Sequence, residues 1–428
     1  MSENKRFTLF VAFLLINGAI FSQYNANSIY SRFGVGDIDQ TGFVQNRALG
    51  GLSVCLRQKN QINYLNPASY DSQDTMSFIW DIGMFGNFNT ASTSQSSSSK
   101  YGVNFDHLAL SFPATKWDFV SAGLTPFTIT GYNLISQQPV PSGAVDDSYI
   151  GSGNLNKFFI GDGFGLFKKK LNFGFNVSYI FGSLNRNESV EYFDYDIYND
   201  LIPSSSHVNT YWERKYIVNG LNFNFGLQGV KEFSRGTKLI GGITYEPKSK
   251  LSLNYTNFRY RVPYGLNDTL PGYKDTTSNF YMPARLGIGV SIIIKDKLMI
   301  GLDYTSQDWS KSSFPEENDT FKMNHRISFG MQYTPNRESY RSYYEKIDYR
   351  IGGYYNDTYL ILNGQPIKDY GITFGLGLPF RNTSTKFNIA CEIGSHGETS
   401  NNLVKINYTR ITLSLTLYDF WFIKKKYD

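Results

Sequence analysis

The residues of this chain that could do chemistry are few, and their spacing matches no catalytic or metal-binding pattern. The chain contains four histidines and two cysteines, and neither type clusters at metal-ligand spacing. His107 and Ser111 share the parity of one alternating segment and could suggest a hydrolytic dyad, but a polar strand face brings such pairs together by chance. Asp194, Asp196 and Asp200 lack the glycine turn of a calcium-binding loop. The sequence therefore predicts no catalytic residue, no metal site and no cofactor.

Charged side chains form the next group of candidates, because several occupy polar positions of segments that are otherwise apolar on alternate residues. They are Asp81, Arg285, Asp303, Arg326, Arg350, Glu392 and Arg410. Such residues could clamp the carboxylate of a ligand, or they could pair with one another or with another part of the chain. The sequence leaves both roles open.

A third candidate is the stretch Gly123-Leu124-Thr125-Pro126-Phe127. Proline cannot donate a hydrogen bond to a strand ladder, and glycine weakens the ladder. Gly123 and Pro126 therefore predict a break in strand pairing. The alternative is an ordinary strand end, with a loop that starts at Pro126.

The elements that must position these residues are long amphipathic strands, and the clearest example is residues 282–310. From Met282 to Ile294 every second residue is apolar, and after a turn at Lys295-Asp296 the alternation resumes from Leu298 to Tyr304. A period of two indicates a β-strand with one apolar and one polar face. Each strand runs past ten residues, which is long for a soluble sheet and typical of a tilted membrane-spanning strand. We expect a hairpin with lipid on one side and a polar lumen on the other.

Similar alternation recurs from Phe78 to Phe422 and predicts about fourteen strands, an even number suited to a closed antiparallel transmembrane β-barrel. The predicted connections alternate in length, with long ones at Ala91–Gly102, Asn133–Asn154 and Leu184–Thr210 and short ones at Pro113–Lys116 and Lys168–Lys170. Long connections belong outside the cell and short ones in the periplasm. The turn Asn336–Lys346 is longer than this pattern predicts.

Composition agrees with a barrel. Aromatic residues make up 17% of the chain, and 39 residues are glycine. The mean hydropathy is nevertheless below zero, as expected when an apolar outer face is offset by a polar lumen and loops. A net charge of +5 over 428 residues gives no nucleic-acid signature. No run of eighteen apolar residues follows the N-terminus, which argues against helical membrane spans.

The chain divides into four predicted segments. Lys5 and Arg6 precede an apolar run, and Ser22 is a small residue at its end, so residues 1–22 are predicted to be a signal peptide. Residues 23–75 do not alternate and either hang in the periplasm or fold into the lumen. The barrel spans residues 76–422, and a basic periplasmic tail spans 423–428. The aromatic cluster from Tyr418 to Phe422 predicts an interfacial girdle and a recognition signal for the barrel assembly machinery.

Several short motifs together resemble one known family. They are Met282-Pro283-Ala284, Gly287, Gly289, Lys295-Asp296-Lys297, Asp303, Trp309-Ser310, Gly242-Ile243-Thr244-Tyr245, Arg47-Ala48-x-x-Gly51 and Asn66-Pro67-Ala68. These motifs resemble the FadL/TodX family, which consists of outer-membrane channels for long-chain fatty acids and other hydrophobic molecules. The resemblance covers nearly the whole mature chain.

The resemblance implies roles for particular residues. Residues 23–75 would form a plug in the lumen, with Arg47, Ala48, Gly51, Asn66, Pro67 and Ala68 as its motif. Gly123 and Pro126 would form a lateral gate in the third strand, through which lipophilic ligands leave the barrel. The protein would lie in the outer membrane of a Gram-negative bacterium.

Two non-enzymatic functions are therefore expected, and the sequence does not choose between them. The first is a passive channel for hydrophobic small molecules. The second is a FadL-type barrel that acts as a protein-binding subunit of a secretion or assembly complex. The expected partners are a hydrophobic ligand or lipid, the lipids of the outer membrane, the barrel assembly machinery during biogenesis and envelope proteins, with no nucleic acid among them.

Overall fold

The computed structural model describes residues 28–420, apart from 205, 234–235, 263–267, 270–273, 313, 315–319 and 382–383. The predicted signal peptide (1–22) and basic tail (423–428) lie outside the described residues, as do the last two residues predicted for the final strand.

The wall of the molecule is a closed antiparallel barrel of fourteen strands, which confirms the predicted fold class. The strands are β1 (Ser77–Ser92), β2 (Ser97–Pro113), β3 (Asp118–Val140), β4 (Gly143–Leu166), β5 (Leu171–Tyr195), β6 (Asn209–Phe233), β7 (Thr237–Glu246 and Ser249–Val262), β8 (Lys274–Met282 and Arg285–Ile294), β9 (Leu298–Asp308), β10 (Met323–Tyr333), β11 (Asp348–Leu362), β12 (Gln365–Pro379), β13 (Lys386–His396) and β14 (Lys405–Phe420). The ring closes where β1 pairs with β14, from Ser77 opposite Phe420 to Ser92 opposite Lys405.

Strands β7 and β8 are each interrupted once, at Pro247-Lys248 and at Pro283-Ala284. A proline inside a strand removes one amide donor from the ladder, so both interruptions fall where pairing is weakest. The two segments of each strand still pair with the corresponding segments of the other, and the wall continues through the breaks.

Inward and outward faces follow the alternation of the sequence. In β8 the side chains of Leu286 and Ile288 are each 50% exposed, whereas that of Ser291 is 2% exposed. Apolar residues therefore face outward and small or polar residues face inward, as predicted. Cys391 lies on the outward face of β13, Cys55 is buried, and both are free thiols. Within the described residues, no helix has the length and apolar character needed to cross a membrane.

The prediction of long irregular loops is largely wrong, because most of these residues form strands of extended hairpins. The predicted loop Asn133–Asn154 is strand except for two residues, since β3 ends at Val140 and β4 begins at Gly143. Strand β5 has 25 residues, which at about 3.3 Å per residue is far longer than an apolar band of ~25 Å requires, even with a steep tilt. The hairpins therefore extend well beyond the membrane on the side of the long connections.

Before β1, the described chain forms short elements joined by irregular backbone. They are two 3₁₀-helices (Ile29–Arg32 and Pro67–Ser72), a two-residue strand (Asp37–Ile38) and one helical turn, α1 (Val44–Arg47). We call residues 28–75 the N-terminal segment. Most of its residues are buried, and Val44, Ala48 and Leu49 have no exposed surface. The segment is buried against the inward-facing residues of the wall.

Candidate functional site

The motif Asn66-Pro67-Ala68 lies against three glycines that share one register across β4, β5 and β6. Gly163 pairs with Gly174, and Gly174 pairs with Gly226. A Cβ atom added at Gly174 would lie 2.3 Å from the carbonyl carbon of Pro67, closer than any side chain can come. The glycines thus let the backbone of the motif approach the wall directly. This row of inward glycines becomes visible only once the strand register is known, so the sequence alone did not reveal the contact.

Asn66 holds the motif in shape. Its side chain accepts a hydrogen bond from the amide of Ala68 at 3.1 Å and so caps the 3₁₀-helix that follows. Its amide group donates to the carbonyl of Val54 at 2.6 Å and ties together two distant parts of the N-terminal segment. The polar atoms of a fully buried asparagine are thereby used within the segment itself.

A second contact involves Asp303, one of the predicted lumen charges. Its carboxylate on β9 accepts hydrogen bonds from the amides of Ser53, Val54 and Cys55 at 2.6, 2.7 and 3.2 Å. These are backbone donors that no strand or helix satisfies, and a carboxylate is a strong acceptor for them. Asp303 therefore binds the N-terminal segment rather than projecting into open space.

The motif that contains Arg47, Ala48 and Gly51 forms a third contact. Gly50 and Gly51 have φ angles of +71° and +85°, which side chains rarely tolerate. The amide of Gly50 donates to Thr373 Oγ1 at 2.9 Å, and this hydroxyl donates to the carbonyl of Ala48 at 3.1 Å. Arg326 donates to the carbonyl of Gly50 at 3.2 Å. The tight turn thus brings a short stretch of backbone against β10 and β12.

Arg47 is the centre of a buried charge network. Its guanidinium lies 2.8 Å from the carboxylate of Asp39 and 3.2 Å from that of Asp106, and Arg410 reaches Asp39 at 3.1 Å. Burial raises the pKa of Asp39, but the Arg47 and Arg410 guanidiniums outweigh burial and hold that pKa well below its usual range. Asp106 was not predicted, because it is the extra residue of a β-bulge opposite Gly83-Met84, which turns it inward next to His107.

The other predicted lumen charges also have partners. Arg285 lies 3.4 Å from Glu246, Arg350 lies 3.2 Å from Asp348, and Asp81 lies 3.4 Å from His107. Glu392 accepts a hydrogen bond from Tyr354 at 2.7 Å. His107 is stacked on Phe43 at 3.8 Å and fully buried, while Ser111 donates to Gln73, so the two residues do not form a dyad. No group of metal-ligating residues occurs in the described part of the chain.

A cavity of about 200 Å³ lies between the N-terminal segment and the wall. Its lining is mixed, with Arg285, Arg326 and Arg410 near the acids Asp37, Asp39, Asp369 and Glu392, and with Ile129, Trp309 and Ile406 as apolar members. Because cations and acids are interspersed, the cavity offers polar contacts of both signs. An inner apolar cluster, which includes Phe127, Leu155, Tyr216, Trp309 and Phe314, shares Trp309 and Ile406 with the cavity.

The wall changes its pairing beside this cavity, close to Gly123 and Pro126. Strand β3 pairs with β2 only from Phe119 to Leu124, and the last contact is a hydrogen bond from Thr125 Oγ1 to the carbonyl of Asp106 at 3.1 Å. A bulge follows between Pro126 and Thr128. Beyond it, Thr128 and Ile129 pair with the two-residue strand Asp37–Ile38 of the N-terminal segment. Every residue from 125 to 132 is buried, so this stretch of β3 presents no side chain to lipid.

Comparison with known structures gives barrels of the same architecture. The toluene transporter TbuX of Ralstonia pickettii superposes with a TM-score of 0.60 at 15% identity, covering 90% of this chain and 99% of that one. The toluene transporter TodX of P. putida superposes with a TM-score of 0.59 at 14% identity, covering 90% of this chain and 100% of that one. A FadL homologue of Pseudomonas aeruginosa superposes with a TM-score of 0.55 at 12% identity, again covering 90% of this chain and 100% of that one. At such identities the likeness establishes the fold, which is that of outer-membrane barrels.

Curated proteins supply no match to this chain. A family model described as BamG, in contrast, matches residues 4–428. Since that match spans almost the entire sequence, this outer-membrane β-barrel belongs to the BamG family.

Proposed function

We propose that the barrel is a conduit for hydrophobic small molecules, such as long-chain fatty acids, which leave it sideways between β2 and β3. The observation that carries this proposal is the early end of β2–β3 pairing at Leu124. In a closed barrel every strand needs two neighbours, because lipid cannot satisfy open backbone groups. Here β3 pairs with β2 up to Leu124 and with the short strand Asp37–Ile38 of the N-terminal segment beyond it. An exit at this place therefore does not require the whole ring to open.

The interior supports a path for an apolar molecule. The inner apolar cluster contains Phe127, which lies at the bulge of β3, and the mixed cavity contains Ile129 two residues further on. Moving apolar surface from water into lipid is favourable by about 25 cal/mol per Å². A route that ends at the bulge therefore delivers the molecule directly to the membrane core.

The N-terminal segment is the second part of the proposal, in which it acts as a plug. Its contacts with Asp303, Thr373 and the glycine row reach strands on different sides of the ring. A segment held in this way would obstruct the axial path toward the periplasm. Lateral exit then becomes the available route.

A substitution at Pro126 tests the conduit. Pro126→Thr supplies an amide donor and a β-branched side chain, which favour continued strand pairing. We expect normal assembly but a several-fold loss of uptake of a labelled long-chain fatty acid by whole cells. Pro139→Thr, near the far end of the same strand, is the matched control and should leave uptake unchanged. Gly123 is left intact, because a Cβ there would lie 2.8 Å from the carbonyl oxygen of Leu108.

Undiminished uptake in an assembled Pro126→Thr barrel would show that ligand leaves by another route. Negligible uptake in both the variant and the unaltered protein would instead favour a second candidate function.

The second candidate is a subunit of an outer-membrane assembly complex, and membership of the BamG family favours it. The hairpins that extend beyond the membrane would then offer docking surfaces. Purification in a gentle detergent followed by mass spectrometry distinguishes the candidates. Stoichiometric envelope proteins would support the subunit, whereas co-purified fatty acid or lipid without them would support the conduit. Neither function requires catalysis or a cofactor.

A further inference from the structure

The longest connection at the short-turn end of the barrel, residues 334–347, is an organised structure. The amide of Asn336 donates to the carbonyl of Glu345 at 2.8 Å, and the amide of Lys346 donates to that of Tyr343 at 3.0 Å. Ser339 accepts from the amide of Ser342 at 3.3 Å. These hydrogen bonds fix the turn, so its side chains are presented in a set arrangement.

The Tyr344 end of this turn packs against the outer face of the wall. The phenol of Tyr349 donates to the carbonyl of Tyr344 at 3.2 Å, and Tyr349 belongs to the outward face of β11 because its neighbour Arg350 is buried. The amide of Thr334 donates to the carbonyl of Lys297 at 2.8 Å, which joins the turn to the β8–β9 connection. The two connections therefore form one continuous patch, which we call the rim patch.

Aromatic rings and cations meet in the rim patch, where the Lys346 ammonium lies 5.5 Å from the centroid of the Tyr340 ring. Tyr340 is 99% exposed and Tyr344 is 74% exposed. Among the residues that the structure describes, Lys297, Arg341 and Lys346 have no carboxylate within 4.0 Å, whereas Arg337 is engaged by Asp348 at 4.0 Å. Glu338 and Glu345 are the acids of the turn, and the patch as a whole stays positive. Tyrosine rings and cations together are the chemistry of a membrane–water interface.

An apolar track leads from the rim patch up the outer wall. Leu298, Tyr333 and Tyr349 stand in one register across β9, β10 and β11 at the level of the patch. The next outward register consists of Ile300, Met331, Ile351 and Phe374. Positive charge at the rim and an apolar row above it match the two ends of a phospholipid.

We propose that the rim patch binds an anionic glycerophospholipid of the inner leaflet. Its phosphate lies among Lys297, Arg341 and Lys346, its ester region lies against Tyr344, and its acyl chains lie along the apolar track. The continuity of the patch with the lipid-facing wall favours a lipid over an acidic periplasmic protein. This site would operate with either candidate function, because it involves neither the lumen nor the extended hairpins.

The test compares lipid retention by the full chain in detergent, measured by native mass spectrometry. The probes are dioleoyl-phosphatidylglycerol, which is anionic, and dioleoyl-phosphatidylcholine, which is not. The unaltered protein should retain the anionic lipid preferentially. The variant R341Q/K346Q should weaken that binding about 10- to 30-fold, since each cation near an anionic lipid surface raises the affinity roughly five-fold. K100Q/R261Q, which removes two exposed cations at the opposite end, should keep the preference.

Three outcomes would overturn the proposal. The first is equal retention of the two lipids by the unaltered protein. The second is an unchanged preference in R341Q/K346Q, whose assembly is checked by heat-modifiable migration on gels. The third is a variant that keeps its lipid preference but loses a co-purifying periplasmic protein, which would identify the patch as a protein interface.

Discussion

Asp39 lies between two guanidinium groups, one from its own segment (Arg47) and one from the wall (Arg410). The inward position of Arg410 could be predicted from strand parity, and a charge there was expected to find either a ligand or a partner. Asp39 could not be predicted, because the N-terminal segment has no periodicity from which a facing direction could be read. The partner of a lumen charge is thus supplied by the part of the chain whose pattern is least informative.

Arg47→Met should loosen the N-terminal segment. The substitution leaves Asp39 and Asp106 buried without their shared cation, and removing one member of a buried ion pair costs about 3–5 kcal/mol. We expect trypsin to cut the segment at Arg57 in the folded variant, as resolved on gels. The matched control is Arg32→Met, which removes a partly exposed pair with Glu188 and should cost about 0–1 kcal/mol. Equal resistance of both variants to trypsin would contradict the assigned role.

Acid should act on the same contact without any substitution. The folded-state pKa of Asp39 is depressed, so its ionised carboxylate stabilises the docked segment fully above an unfolded pKa of about 3.9 and this contribution is lost as the pH falls further. Trypsin requires neutral pH, so pepsin is the suitable protease. Cleavage of the segment should rise below about pH 4, and less steeply in Arg47→Met, where the depression is largely removed.

At the scale of elements, the strands could be predicted, whereas the contacts of the N-terminal segment with the inward face of the wall could not. Alternation identifies a strand only where one face meets lipid and the other does not. The extended hairpins meet water on both faces, so β3 to β6 were predicted to end near the membrane although they continue as regular ladders. Conversely, the common register of Gly163, Gly174 and Gly226 could not be predicted, because it depends on how three strands pair.

Gly174→Ala should displace the N-terminal segment. The new Cβ would meet the backbone of Pro67, and overpacking of this kind typically costs about 1–3 kcal/mol. If the segment is a plug, single-channel conductance in planar bilayers should rise. Gly229→Ala is the matched control, since a Cβ at that strand glycine meets nothing within 4 Å. Unchanged conductance in an assembled Gly174→Ala barrel would place the obstruction elsewhere.

At the scale of the whole molecule, the two ends of the barrel differ in shape and charge. One end carries the extended hairpins, and the other carries short connections rich in lysine, including Lys168, Lys169 and Lys170. Strand count and fold class followed from the alternation of side chains, and the lengths of the connections predicted which end extends further. The docking of the N-terminal segment could not be predicted, because a contact surface made of glycines and backbone atoms has almost no side-chain signature.

Cysteine labelling tests the orientation that this asymmetry predicts. In a background without Cys55 and Cys391, single cysteines at Ser96 and Asn199 should react with an impermeant maleimide on intact cells, because both lie in tips of the extended hairpins. A cysteine at Thr115, an exposed residue of a short connection, should react only after the outer membrane is permeabilised. Labelling at Thr115 alone on intact cells would show that the barrel has the opposite orientation in the membrane.

The seam between β1 and β14 has a consequence for the order of biogenesis. The N-terminal segment is synthesised first, but its wall partners Asp303 and Thr373 belong to β9 and β12, and the seam joins Ser77 to Phe420. Contacts so distant in sequence form slowly. Docking onto an incomplete, still open sheet avoids threading a folded segment through a finished ring. The N-terminal segment, which is synthesised first, must therefore wait for the strands that are synthesised last before its buried contacts with the wall can form.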